Sequence, residues 1–215
     1  MRQASADPLL LVVGSANTDL VTRVSRLPSP GETALGSSFA QSNGGKGANQ
    51  AVAAARLGLR VRLAAAVGED AFGDRLVEGL RVEGVDVSGV QRVRGTPTGT
   101  ALIVVDQAGE NTIVVNPGAN AALSLEGVDL SAPDATLCQL EVAVSVVADV
   151  ARRARGLFCL NASPMAGLPE RLLRRCDLVI VNQSEYKAAD GQLDNLPPGC
   201  RDPGGRRSGP AQLGQ

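Results

Sequence analysis

Residues 43–50 read Asn-Gly-Gly-Lys-Gly-Ala-Asn-Gln, a glycine-rich stretch that contains one of the two lysines of the chain. Apolar residues then recur at helical spacing as far as Gly58, which predicts a loop that opens directly into a helix. Glycines let a ligand approach the backbone closely, and helix N-terminal amides favour anions and oxygen acceptors. The spacing is neither that of a nucleotide phosphate loop nor that of a dinucleotide fingerprint. Taken alone, the stretch also fits a plain strand-to-helix turn.

Buried strands alternate with helices on both sides of this loop. Strands are expected at residues 9–13, 61–67, 135–140, 156–160 and 178–181, and helices at 74–83, 144–154 and 169–175. This alternation predicts an α/β fold in which helices flank a mostly parallel sheet. Hairpin-like pieces at about 20–42 and 95–115 interrupt the alternation, and we expect them to form a small β lid.

The predicted domain extends over residues 9–190, and the amino-acid composition changes after residue 190. Residues 191–215 are rich in glycine and proline and contain no apolar run. Such a composition cannot bury a core, so we expect a disordered tail. The tail also has the composition that a GC-rich gene gives when it is read out of frame.

Composition excludes several classes of function. A net charge of -1 without a basic stripe argues against nucleic acid as a partner. No apolar run reaches about 18 residues and the N-terminus lacks a signal-peptide pattern, so we expect a cytoplasmic protein without a membrane segment. The chain contains no histidine, which removes histidine acid–base catalysis and histidine metal ligands. Its four cysteines are widely spaced, which predicts buried free thiols rather than a zinc site.

Polar residues that follow the predicted strands are the candidates for binding, because ligands of parallel sheets lie beyond the carboxyl ends of the strands. Asn17 and Asp19 follow the first strand and, two residues apart in an extended segment, they point the same way. An amide and a carboxylate so placed suit the vicinal hydroxyls of a sugar. The local alternative is an Asx turn.

Two further strand ends carry acidic residues. Glu141 directly follows the strand at 135–140, where it either reaches a ligand or serves as a charge at a helix N-terminus. Asn182 and Glu185 follow the last strand at a spacing of three, which places both on one face at a helix start. They either hold a metal through water or cap the helix.

The stretch from Gly44 to Gly68 resembles the first signature of the ribokinase, or phosphofructokinase-B-type, carbohydrate kinases. The resemblance covers about residues 9–190. It continues in family order through Gly14-Ser15-x-Asn17-x-Asp19, Pro30-Gly31-Glu32-Thr33, Thr98-Gly99-x-Ala101, Gly118-Ala119-Asn120, Gln139-Leu140-Glu141 and Asn182-x-x-Glu185. So many ordered matches favour a binding role for these residues over the local alternatives.

The resemblance implies a three-layer ribokinase-like fold with a β lid, and transfer of the ATP γ-phosphoryl group to the 5-hydroxyl of D-ribose. It implies that a set of polar residues and glycines holds the sugar, namely Asn17, Asp19, Gly44, Gly45, Lys46, Asn49 and Glu141. By the same resemblance, Asn182 binds the nucleotide and Glu185 places Mg²⁺ through water. The family also implies a homodimer that pairs through the lid strands.

One family feature does not occur in the 215 residues. The second signature of the family, near Asp-Thr-x-Gly-Ala-Gly-Asp, supplies the catalytic base and the glycine amides that meet the phosphoryl group, and the monovalent-cation (K⁺) site lies in the same region. No Gly-Ala-Gly-Asp occurs here. We therefore expect that the C-terminal part of the fold is missing, through a frameshift or a sequencing error, and that no catalytic residue remains. The alternatives are a short ribose-binding protein without kinase activity, or a kinase for a related pentose, ketohexose or nucleoside.

Overall fold

The computed structural model describes residues 7–193 and Leu196. Its strands are β1 Leu9–Val13, β2 Asn17–Arg23, β3 Ser38–Gly44, β4 Arg60–Gly68, β5 Asp86–Val93, β6 Gly99–Val105, β7 Asn111–Asn116, β8 Ala135–Gln139, β9 Leu157–Asn161 and β10 Leu178–Ile180. Its helices are α1 Lys46–Arg56, α2 Ala71–Val82, α3 Val144–Arg153, α4 Glu170–Leu173 and α5 Gln183–Ala188, and a 3-10 helix covers Gly118–Ala122.

Six strands form a central sheet in the order β10-β9-β8-β1-β4-β5, and every neighbouring pair is parallel. The side chains of β1 alternate between the two faces, as the pleat of a strand requires. Leu11 and Val13 pack with α3 and α4 on one face, whereas Val12 packs with α1 and α2 on the other. Helices therefore cover both faces of the sheet, which confirms the predicted three-layer α/β class.

The remaining four strands form a second, smaller sheet in the order β3-β2-β6-β7. The chain enters it directly from β1 through Gly14-Ser15-Ala16, and it leaves β3 directly into α1. The carboxyl end of β1, the base of the small sheet and the start of α1 are therefore neighbours. The pieces expected to form a lid supply these four strands.

The two boundaries that differ most from the sequence prediction are the start of α2 and the start of the tail. Helix α2 begins at Ala71 rather than Asp74, because the Asp70 carboxylate accepts a hydrogen bond from the backbone N–H of Gly73 (2.8 Å) and caps the helix one turn earlier. The expected tail begins at Gly191, yet Leu193 is buried in the core, so its first residues still pack against the domain. Apart from Gly191–Leu193 and Leu196, that predicted tail lies outside the described residues.

The buried cysteines behave as expected for core residues. Cys138 and Cys176 are buried, whereas Cys159 is only half-buried, and Cys200 lies outside the described residues. Burial raises the pKa of the Cys138 thiol far above its usual range, so the thiol stays protonated and unreactive. Within the described ranges, no helix is long and apolar enough to cross a membrane.

Candidate functional site

The start of α1 is anchored to the loop that follows β1. The backbone N–H of Ala48 donates to the carbonyl oxygen of Ser15 (2.9 Å), and the N–H of Gly47 donates to the Ser15 hydroxyl (3.3 Å). Gly45 precedes the helix with a φ of 90°, a conformation that favours glycine. The glycine-rich loop therefore lies against the backbone of the β1–β2 connection.

Glu141 lies at the N-terminus of α1, although it directly follows β8. Its Oε2 accepts hydrogen bonds from the Ser15 hydroxyl (2.5 Å) and from the backbone N–H of Lys46 (2.9 Å). Its Oε1 lies 3.9 Å from the Lys46 ammonium nitrogen. A carboxylate in this position is stabilised by the helix dipole and by two donors. Glu141 is therefore a charge at a helix N-terminus, which was the local alternative. The helix is α1, which is remote from Glu141 in sequence, and not the helix that follows β8.

Asn17 is held in place by a residue that the sequence reasoning did not single out for a role. The side-chain amide of Asn120 is buried; it accepts from the backbone N–H of Ala16 (2.9 Å) and donates to the Asn17 Oδ1 (2.7 Å) and to the Pro117 carbonyl oxygen (2.9 Å). Because Asn17 Oδ1 is already used as an acceptor, its Nδ2 is left to donate to a ligand. The 3-10 helix at Gly118–Ala122 thus fixes the orientation of the Asn17 amide.

Asp19 lies on β2, which pairs with β3, and its carboxylate packs over Gly44 at the end of β3. Among the described residues the carboxylate has no hydrogen-bond donor. Burial, and secondly the negative charge of Glu141, raise the pKa of the Asp19 carboxyl above its usual value. A half-buried carboxylate without a donor, near a second carboxylate, is an arrangement that a ligand rich in hydroxyl groups would relieve.

Asn49 lies one turn into α1 and is exposed. It lines a groove between α1 and α2 together with Asn43, the penultimate residue of β3. In the part of the chain that the structure describes, the Asn49 amide makes no hydrogen bond to protein. It is available to a ligand, although the structure does not bring it into contact with Asp19 or Glu141.

Asn182 and Glu185 lie farther along the same rim of the sheet, after the edge strand β10, which is two strands from β8. They form a reciprocal cap: Asn182 Oδ1 accepts from the N–H of Glu185, and Glu185 Oε2 accepts from the N–H of Asn182, both at 2.8 Å. In the structure both residues therefore cap the helix, as the local alternative predicted. No group of three metal-ligand side chains occurs among the described residues.

The arrangement brings together most of the predicted sugar-binding residues. Carboxylates, a side-chain amide, an ammonium group and the backbone of the glycine loop lie close together where the small sheet meets the start of α1. We call this region the cleft. These groups offer both donors and acceptors, which suits a small polyol better than an anion or an apolar ligand. Ser15 and Asn120, which the sequence places in family motifs without a role of their own, act on Glu141 and Asn17 rather than on the cleft itself.

Known proteins resemble this chain over most of its length. Residues 7–199 match the family described as pfkB family carbohydrate kinase. Ribokinase from Schizosaccharomyces pombe is 36% identical over 200 residues, which are 86% of this chain and 63% of that protein. Deoxyribokinase from Salmonella typhi is 35% identical over 191 residues, which are 85% of this chain and 62% of that protein.

A solved structure extends the likeness to three dimensions. The structure of Arabidopsis thaliana ribokinase complexed with ribose and ATP superposes with a TM-score of 0.77 at 31% identity, and covers 87% of this chain and 62% of that one. The chain therefore spans somewhat less than two thirds of the length of the relatives that it matches.

Proposed function

The chain belongs to the pfkB family of carbohydrate kinases, and from this premise we propose that its cleft is the sugar site of an enzyme that phosphorylates D-ribose with ATP at the 5-hydroxyl. The 215 residues alone would bind the sugar without phosphorylating it. The observation that carries the proposal is the Asp19 carboxylate, which is half-buried beside Glu141 and has no donor within the described residues. Hydroxyl groups of a sugar would supply the missing donors. The sequence likeness to ribokinases, and the ribose and ATP of the Arabidopsis relative, support the choice of ligand.

Each group in the cleft has a distinct part in this proposal. Asn17 donates through Nδ2 because Asn120 occupies its oxygen. Asp19 accepts from two vicinal hydroxyls, and Lys46, which lies 3.9 Å from Glu141, donates to a hydroxyl that Glu141 also meets. Gly44 and Gly45 let the sugar approach the backbone, whereas Asn49 faces the groove between α1 and α2 and is assigned to the sugar by the family resemblance alone. Closure of the small sheet would exclude water, which competes as a phosphoryl acceptor.

The nucleotide side of the proposal rests on Asn182 and Glu185. Glu185 uses Oε2 in the helix cap, which leaves Oε1 to hold Mg²⁺ through water. A single carboxylate is compatible with this ion, which usually keeps several waters and binds substrate phosphates. When bound, Mg²⁺ would neutralise charge on the transferring phosphoryl group. We place the activity in the cytoplasm, where ATP is available and where a thiol such as that of Cys138 stays reduced.

Replacement of Asp19 tests the sugar site. We expect Asp19→Ala to weaken ribose binding by about ten- to a hundredfold, because hydrogen bonds to a charged group contribute about 1.5–3 kcal/mol. Isothermal titration calorimetry with ribose measures the effect. Glu110→Ala, in the exposed turn between β6 and β7, is the matched control and should leave affinity unchanged.

Stability separates a binding defect from unfolding in this test. The pKa of Asp19 is raised in the folded chain, so the ionised carboxylate lowers the free energy of unfolding at neutral pH. Asp19→Asn should therefore keep or increase the free energy of unfolding at pH 7 while it lowers ribose affinity. Unchanged ribose affinity in both variants would show that the sugar lies elsewhere.

A related pentose is the second candidate ligand. The deoxyribokinase of Salmonella typhi is about as similar to this chain as the ribokinase of Schizosaccharomyces pombe. Titration of the same protein with 2-deoxyribose distinguishes the two ligands, because a site built to bind the 2-hydroxyl would leave its own polar groups unpaired with the deoxy sugar.

We also propose that a second copy of the chain covers the small sheet. Large apolar side chains remain exposed on one face of it, among them Phe39 at 69%, Leu102 at 45% and Val114 at 54%. Contiguous exposure of this kind is typical of an interaction surface. Sedimentation of the purified protein should give the mass of two chains, and a monomer at micromolar concentration would contradict this proposal.

A further inference from the structure

A chain of side-chain amides runs across the carboxyl ends of three neighbouring strands, next to the sugar cleft. Gln139 Nε2 donates to Gln50 Oε1 (2.5 Å), Gln50 Nε2 donates to Asn161 Oδ1 (3.1 Å), and Asn161 Nδ2 donates to the carbonyl oxygen of Ile180 (3.0 Å). Every donor points in the same direction, from β8 through α1 to β9 and β10. We propose that Gln50 and Gln139 are positioning residues, which set Lys46 and Glu141 at the distance that ribose requires.

The spacing of the residues shows how the amides act on the charged pair. Lys46 and Gln50 are four residues apart on α1, so their side chains lie next to each other on one face. Gln139 and Glu141 are two residues apart at the end of β8. Two cross-links therefore join α1 to the end of β8. One is charged, Lys46 to Glu141, and the other is a pair of neutral amides one helical turn farther on.

Burial indicates that packing alone does not explain Gln139. Its side chain has no exposed surface, and its Oε1 has no hydrogen-bond partner in the described part of the chain. That oxygen lies against Gly14, where an added Cβ would come within 1.8 Å of it. An unpartnered buried polar group costs about 1–3 kcal/mol, and an apolar side chain of the same length would avoid that cost. The amide therefore does something that Met or Leu at this position would not do.

A neutral link also fits the local electrostatics. The negative charge of Glu141 already contributes to the raised pKa of Asp19. A second ion pair under the cleft would add charge beside these carboxylates, and its partners would have to be desolvated. Amides fix the separation of α1 and β8 without changing the charge of the site. The chain then continues to Ile180, two residues before Asn182, and so ties the sugar side to the strand that leads to the proposed nucleotide side.

Two methionine variants test the proposal. Only the measurement of ribose affinity rests on the proposed function. Gln50→Met and Gln139→Met keep side-chain length but remove the amide. In both we expect the backbone amide proton of Lys46 to move upfield in the NMR spectrum, because its hydrogen bond to Glu141 lengthens. Ribose affinity should fall by about three- to tenfold, the range for one hydrogen bond. The double variant should be no worse than either single variant, because the two amides act as a unit.

The free energy of unfolding distinguishes a positioning role of Gln139 from a merely structural one. Gln139→Met removes an unpartnered buried oxygen, so the free energy of unfolding should stay the same or rise while the Lys46 signal and ribose affinity change. Val147→Ala, in the core on the other face of the sheet, is the control. It should lower stability and leave the Lys46 amide proton where it is.

The outcomes distinguish this inference from the proposed function. A Lys46 amide proton unmoved in both methionine variants would overturn the positioning role, whether or not ribose binds. A wild-type chain that binds no ribose, with the Lys46 proton displaced in both variants, would overturn the proposed function and retain the positioning role. Displacement of the same proton in Val147→Ala would show a general loosening of the fold and would also overturn the positioning role.

Discussion

The 215-residue chain, purified alone, is expected to form no measurable ribose 5-phosphate from ATP and ribose. The resemblance assigns the base for the sugar hydroxyl, and the glycine amides that meet the phosphoryl group, to a Gly-Ala-Gly-Asp sequence that does not occur in these residues. A general base typically supplies about 10²–10⁴-fold, and one donor to the developing charge about 10²–10³-fold. Loss of both would lower a typical kinase turnover of about 1–100 s⁻¹ to the limit of detection or below.

The carboxylates near the cleft do not offer a replacement base. Glu141 is held by Ser15 and Lys46, and Glu185 caps α5. Asp19 has no such partner, but the proposal assigns it to the sugar hydroxyls. The assay contains ATP, Mg²⁺, K⁺ and ribose, and follows ribose 5-phosphate directly. Robust product that disappears in Asp19→Ala would contradict the expectation, because a contaminating kinase would not respond to that substitution.

Gly45→Ala is expected to be among the most destabilising single substitutions in the chain. At a φ of 90° an L-residue is strained by about 1–3 kcal/mol. An added Cβ would also lie 2.8 Å from the backbone nitrogen of Asn17 and 2.9 Å from the Ser15 carbonyl oxygen. Overpacking against such atoms costs about a further 1–3 kcal/mol. Since natural domains are stable by only about 5–15 kcal/mol, the expected loss is a large fraction of the total.

The same variant should abolish ribose binding, because the loop can relieve the contact only by moving away from the β1–β2 connection. Gly58→Ala is the matched control. Gly58 has nearly the same φ, 87°, but nothing lies within 4 Å of the added Cβ. It should lose only about 1–2 kcal/mol, the cost of the left-handed conformation, and should keep its ribose affinity. Equal losses in urea titrations of the two variants would show that close approach at Gly45 contributes nothing.

Sequence reasoning missed one strand of the central sheet and placed one helix start late. Strand β5, Asp86–Val93, lies at the edge of the sheet, where most of its residues are only partly buried, so it lacks the continuous apolar run of β1 or β4. It also contains Gly89, which reads as a turn. The start of α2 was misplaced because the helix begins before its apolar face does, at a cap whose carboxylate also holds Thr98.

The candidate site divides between what local spacing specifies and what distant contacts specify. Asn17 and Asp19 follow an apolar strand, and Gly44 to Asn49 open a helix, so their positions at a strand end and at a helix start can be inferred within a few residues of sequence. The order of the family motifs along the chain then connects them with Glu141. No local pattern shows that Glu141 contacts the N-terminus of α1 rather than the helix that follows it.

The amino-acid sequence by itself determined the α/β class, the small sheet, the glycine loop and most of the residues around the cleft. The fold class and its elements follow from periodicity and composition, which act over a single turn or strand, whereas the roles of the residues around the cleft are what the family motifs imply. Only the tertiary structure decided which side chains meet: Lys46 with Glu141, 95 residues apart, Asn17 with Asn120, 103 apart, and Gln50 with Gln139, 89 apart. The physical reason is that such contacts depend on which strands are neighbours in the sheet and on how α1 packs across them. A hydrogen bond tolerates errors of only a few tenths of an ångström, so propensities averaged along the chain cannot specify it.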